Sequence, residues 1–90
     1  MQTNSKPNLV QIWSQENCPG CLAAKNLADS LGINYEVLTI NSIETKQKFF
    51  DSCKGARSVP QIIVDGMWIG GLQEFKNYLL STKTITKVVQ

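Results

Sequence analysis

The sequence predicts an α/β fold in which a four-stranded mixed sheet is flanked by helices, with elements in the order β-α-β-α-β-β-α. Three observations lead there. Short apolar, β-rich runs alternate with segments patterned as helices in the first half of the chain. An Asp65-Gly66 pair then interrupts a continuous apolar stretch, the signal of a hairpin. Finally, 90 residues with 42 % hydrophobic content are enough for one small core.

The elements follow in order. Residues 1–8, MQTNSKPN, are polar with a proline at position 7 and read as a disordered lead-in. LVQIW (9–13) is a short buried strand. PGCLAAKNLADSLG then reads as a helix from about Pro19, with Leu22, Leu27 and Leu31 among alanines and a stop at Gly32. INYEVLTI (33–40) alternates Ile33, Tyr35 and Val37 and is the second strand. SIETKQKFFDSCKG starts at a capping Ser42 and stops at Gly55, with Ile43, Phe49, Phe50 and Cys53 as its apolar positions. QIIVDGMWIGG supplies two strands around the turn, and GLQEFKNYLLS a last helix with Leu72, Phe75 and Leu79 inward. The domain thus spans 9–81, and 82–90 form a tail that fits either a fraying helix or an extended segment. The first βαβ crossover should be parallel and right-handed, the later hairpin antiparallel. This is a thioredoxin-like architecture.

Composition narrows the function. Nine Lys+Arg against seven Asp+Glu give a net charge of +2, and the basic residues are spread out, so neither nucleic acid nor a membrane surface is the expected partner. No apolar stretch reaches membrane-spanning length, and the polar N-terminus is not a secretory signal. The expected setting is the cytoplasm, where thiols rarely serve as permanent staples.

Of the three cysteines, only Cys18 and Cys21 are close in sequence, and the chain has no histidine. A structural zinc site needs four N/S ligands, so no metal is expected. The element order puts Cys18 at a strand-to-helix junction, where free N–H groups and the positive helix end stabilise a thiolate and lower a thiol's pKa. Pro19 suits the first helical position, because its missing N–H would have been an orphan there. Cys21, three residues on, lies within the same turn and can resolve a mixed disulfide formed on Cys18. Two inert buried cysteines are the alternative, but a Cys-Pro-Gly-Cys at this junction reads as a redox dithiol.

The segments VQIWSQENCPGC, GARSVPQIIVDG and WIGGLQEF, in this order and spacing, resemble those of a glutaredoxin over about residues 9–80. The resemblance implies a dithiol, Cys-Pro-Gly-Cys variant within the thioredoxin-like superfamily. It further implies a glutathione-dependent thiol–disulfide oxidoreductase, acting as a monomer on protein disulfides and glutathione-mixed disulfides. Cys18 would be the nucleophile and Cys21 the resolving thiol. Pro60 would be cis, with the Val59 backbone pairing to the glutathione peptide and Ser58 standing where threonine is usual. Arg57 and Gln47 match positions that hold a glutathione carboxylate, and a guanidinium fork suits that group. Gly71, Leu72 and Gln73 fall where the γ-glutamyl end binds, and helix N-terminal amides suit its carboxylate. Gln15 replaces the family's lysine near the thiolate, and Gly20 replaces an aromatic wall of the groove. Two other roles belong to related proteins. One is a redoxin reduced directly by a flavoprotein reductase, for example to supply ribonucleotide reductase. The other is a glutathione-ligated iron–sulfur carrier, against which Pro19 argues. Trp13, Trp68, Phe49, Phe50, Phe75 and Tyr78 read as core or groove wall, and Cys53 as a small buried hydrophobe.

Overall fold

The computed structural model describes residues 7–82. Its elements are β1 (Val10–Ser14), α1 (Pro19–Ser30), β2 (Tyr35–Thr39), α2 (Ile43–Ser52), β3 (Gln61–Val64), β4 (Met67–Gly70) and α3 (Leu72–Ser81). The sheet order is β2-β1-β3-β4, with β1 parallel to β2 and antiparallel to β3, and β3 antiparallel to β4. The expected architecture is the observed one.

The two central strands carry side chains into two separate cores. Val10 and Ile12 of β1 and Ile62 and Val64 of β3 face α1 and α3, where Ala24, Ala28, Phe75 and Leu79 complete a buried cluster. Trp13 and Ile63, on the opposite face, meet Phe49, Cys53 and Ala56 beneath α2. Burial on both faces explains why β3 reads as an unbroken apolar run rather than an alternating one. The hairpin turn has positive φ at both central residues, 48° at Asp65 and 88° at Gly66, as a two-residue turn matched to strand twist requires. Asp65 does more than turn the chain: its Oδ1 accepts the Leu9 N–H at 2.8 Å. Pro7, the first described residue of the 1–8 lead-in, is buried, and the Asn8 N–H also donates to Asp65. Residues 1–6 of that lead-in and 83–90 of the tail lie outside the described residues.

Three expectations about packing change. On α1 the fully buried residues are Cys21, Ala24 and Ala28, Leu27 and Leu31 pack against the core as expected, and Leu22 is 57 % exposed. Positions 21, 24 and 28 follow helical spacing, and small side chains let the helix lie close on the sheet. On α2, whose Ser42 cap and Thr45 form a capping box, Ile43 is 87 % exposed and Phe50 is exposed too. Only Phe49 and Cys53, four apart, point into the core. On β2, Val37 is exposed because the strand is an edge.

Trp13 packs edge-on to Phe49, ring centroids 5.6 Å apart. Its buried Nε1 has no hydrogen-bond partner, which offsets part of the aromatic gain.

Cys53 is fully buried at the end of α2, and burial raises its thiol pKa. Cys53→Ala is expected to lower stability by roughly 1 kcal/mol, measured by urea denaturation near neutral pH. A thiol whose folded pKa lies above its unfolded value supports the fold fully below the unfolded pKa and loses that support as pH rises through the folded one. The stability gap between wild type and Cys53→Ala should therefore narrow at alkaline pH; a gap constant with pH would show that ionisation of this thiol is not linked to unfolding.

Candidate active site

The site is assembled where α1 begins. Cys18 is the helix N-cap, in an extended conformation (φ −117°, ψ 99°), and its carbonyl accepts the Leu22 N–H that closes the first helical turn. Asn17 just before it has φ 57°, a left-handed conformation asparagine tolerates better than most residues. The Cys21 N–H donates to Cys18 Sγ at 3.1 Å. The sulfur thus occupies the place that a serine or aspartate oxygen takes at an ordinary N-cap. A negative charge on it would be met by that amide and by the helix end.

The two sulfurs are bonded in this structure, with Cα atoms 5.2 Å apart. They are not equivalent. Cys18 is half-buried at the surface, whereas Cys21 is 1 % exposed under the helix. Cys18 is therefore the sulfur that solvent and a substrate can reach.

Pro60 is the hub of the surroundings. The Val59–Pro60 bond is cis, and the Val59 carbonyl lies 3.7 Å from Cys18 Sγ. A Cβ added at Gly20 would lie 3.1 Å from Pro60 Cδ, and one at Gly71 would lie 3.3 Å from the Pro60 carbonyl oxygen. Both distances are tight, so the starts of α1 and α3 close on the proline because neither glycine carries a side chain. Besides leaving the groove without an aromatic wall, Gly20 forms this close contact.

A cleft of about 160 Å³, whose lining includes Gln15, Lys46, Phe50, Arg57, Ser58 and Val59, reaches the neighbourhood of the sulfur through Val59. Four of the anticipated binding residues, Gln15, Arg57, Ser58 and Val59, therefore share one wall system. Gln47 does not join them. It lies on a neighbouring patch with Ile43, Glu44 and Lys48, and its amide donates to Asp51 at 3.0 Å. Lys46 takes its place, and helix phase explains why: residue 46 stands three before the inward Phe49, on the same side. That phase was legible once Phe49, rather than Phe50, was known to be the inward aromatic.

At the other end, Gly71 is the N-cap of α3 and its N–H donates to Glu74 Oε1 at 2.9 Å. Leu72 packs against the core, and the Gln73 amide donates to Asn77 along the helix at 3.3 Å. These three residues lie at the α3 start, near Pro60 through Gly71, and not in the Arg57 cleft. One further residue escaped the sequence reading. Gln61, 7 % exposed, donates from Nε2 to the Ser58 carbonyl at 3.0 Å and accepts the Trp68 Nε1–H at 2.9 Å. Among the described residues no group of three His, Cys, Asp or Glu is arranged to hold a metal ion.

The Glutaredoxin family model matches residues 10–69, two thirds of the chain. The chain belongs to the glutaredoxin family. It is 36 % identical over 74 residues to the mitochondrial glutaredoxin-2 of Bos taurus, covering 79 % of this chain and 47 % of that protein. To glutaredoxin 1 of Rickettsia prowazekii it is 35 % identical over 70 residues, 76 % of this chain and 74 % of that one. It thus spans about half the length of the mammalian relative. Among solved structures, oxidised Escherichia coli glutaredoxin superposes with a TM-score of 0.71 at 28 % identity, covering 86 % of this chain and 99 % of that one. A buckwheat glutaredoxin in complex with glutathione gives 0.71 at 26 % identity, covering 92 % and 76 %. The glutaredoxin resemblance noted from three sequence segments is thereby established.

In the reduced protein, iodoacetamide should label Cys18 first at neutral pH, with Cys21 and Cys53 protected until the fold opens. Peptide mapping after brief labelling checks this; equal labelling of Cys18 and Cys21 would contradict the exposure argument.

Proposed function

We propose that this chain is a glutathione-dependent thiol–disulfide oxidoreductase. The observation that carries the reading is a half-exposed sulfur at a helix N-terminus, bonded to a buried partner and joined through the Val59 carbonyl to a cleft with two cations. Membership of the glutaredoxin family and the glutathione-bound buckwheat relative support it.

The chemistry follows from the placement. Cys18 thiolate attacks one sulfur of a substrate disulfide, forming a mixed disulfide and releasing the other sulfur as a thiolate. For a protein disulfide, Cys21 then attacks Cys18 Sγ, releasing the second substrate thiol and leaving the Cys18–Cys21 disulfide seen here. One glutathione thiolate opens that disulfide to give Cys18–S–S–glutathione and free Cys21. A second takes the glutathione away as glutathione disulfide, and Cys18 is restored as the thiolate. The two electrons come from two glutathione thiols. For a glutathione-mixed disulfide, attack on the glutathione sulfur releases the protein thiol directly, and Cys21 is not needed.

Arg57 and Lys46 suit a carboxylate of glutathione, Arg57 as a planar fork and Lys46 as a point charge. The chain thus carries a cation on α2 where Gln15 lacks one at the turn. The Val59 backbone, close to Cys18 Sγ, is the natural partner for the tripeptide's own amides.

Cys18→Ser should abolish turnover, while Cys21→Ser should keep reduction of glutathione-mixed disulfides and lose much protein-disulfide reduction; an active Cys18→Ser variant overturns the assignment. Comparing glutathione plus glutathione reductase with thioredoxin reductase as electron source tests the glutathione reading itself. Turnover with the flavoprotein alone would favour the directly reduced redoxin instead, and a visible absorption band in anaerobically purified protein would favour the iron–sulfur carrier.

Cation exchange at the cleft gives a finer test. Lys46→Met should weaken glutathione use by roughly 1.4- to 5-fold at low salt, and Gln15→Lys should improve it by a similar factor. Both effects should shrink as ionic strength rises. Glutathione-dependent turnover at two salt concentrations reads them out, and no change in either variant would remove the cleft from the binding site.

A further inference from the structure

Gln61 is the first residue of β3, directly after Pro60, and its buried amide is engaged at both ends. Nε2 donates to the Ser58 carbonyl and Oε1 accepts from the Trp68 indole. The register explains how Trp68 arrives there. β3 and β4 shift between Ile62 and Ile63, so that Ile63 pairs with Trp68 and Ile62 with Gly70. Trp68 is therefore on the Gln61–Ile63 face, diagonal to Gln61 and within reach of its amide. The indole ring is 39 % exposed, yet its one polar atom is turned inward to Gln61.

The consequence concerns the loop that precedes Gln61. Residues 57–59 line the cleft, and Val59 brings its carbonyl to Cys18 Sγ. A buried amide that fails to find partners is costly, so the Gln61 link has a preferred geometry rather than a loose one. It fixes the Ser58 carbonyl from below, and with it the peptide that leads into Val59.

We propose that Gln61 is a positioning residue for this dithiol site, and that Trp68 holds it in place. The pair sets how well the Ser58–Val59 backbone meets a bound substrate, and leaves the Cys18 sulfur, held by the Cys21 amide at the start of α1, unaffected. The proposal rests on the oxidoreductase reading above and adds to it a determinant of substrate affinity outside the cleft.

The test uses full-length protein with a glutathionylated peptide as substrate and glutathione with glutathione reductase as electron source. Gln61→Leu should raise the KM for the peptide by roughly 2- to 12-fold, the equivalent of one net hydrogen bond, with kcat unchanged. The pH dependence of Cys18 alkylation should stay that of wild type. Trp68→Phe should raise KM in the same direction by less, and the double variant should match Gln61→Leu, since both changes break one connection. Wild-type KM in a folded Gln61→Leu protein, additive effects, or a fall in kcat with a moved alkylation profile would each overturn the proposal. Should Gln61→Leu fail to fold, Trp68→Phe on the exposed edge decides alone, and an unchanged KM overturns it. If wild type shows no turnover with glutathione, the glutathione reading fails separately. The same variants are then compared with dithiothreitol as reductant and insulin disulfide as substrate, with the same KM criterion.

Discussion

Close packing around Pro60 is the constraint on which the redox centre depends. The N-terminus of α1, the N-cap of α3 and the loop into β3 come together there, and the space admits no side chain at Gly20 or Gly71 without displacement. Moving the proline by a few tenths of an ångström would shift the Val59 carbonyl relative to Cys18 Sγ. It would also alter the approach of α1 to the sheet, because both run through the same contact. In a close-packed interior such shifts are transmitted rather than absorbed.

The frame that holds this contact is a sheet covered on both faces. β1 and β3 are its centre, and each sends alternate side chains into opposite cores. α1 can lie near enough to place Cys18 beside Pro60 because its fully buried members of that core, Ala24 and Ala28, are small. Larger residues there would lift the helix and its N-terminal sulfur together. On the far face the α2 core is aromatic, with Trp13 edge-on to Phe49. That packing fixes the rotation of α2 and so brings Lys46, rather than Gln47, to the cleft.

Two kinds of polar interaction then shape the centre. One is local: the Cys18 sulfur caps its own helix, a property of an N-cap position that any sequence with cysteine there would share. The other is long-range: Gln61 ties β4 to the active-site loop through a buried amide, and Asp65 ties the hairpin turn to the chain entering β1.

Much of this could be read from the chain alone. Turn chemistry at Asp65-Gly66, the Ser42 cap, the Gly32 stop and the cysteine pair before a helix are local signals, set by residues within a few positions of one another. They set the element order and the fold class and put Cys18 at a helix start. Tertiary structure decided what depends on neighbours distant in sequence. Leu22 and Phe50 have the hydrophobicity of core residues but stand on outward faces, because helix rotation is chosen by the whole contact surface and not by one side chain. Lys46 replaced Gln47 for the same reason, since a shift of one residue on a helix turns a side chain by about 100°. Gln61 and Trp68 could not be paired from sequence, because their link depends on an irregular register in β3–β4. Sequence thus determined which elements form and which cysteine stands at the helix start. The packing of those elements determined which side chains surround it, because direction in space is a property of the assembled surface and not of any single segment.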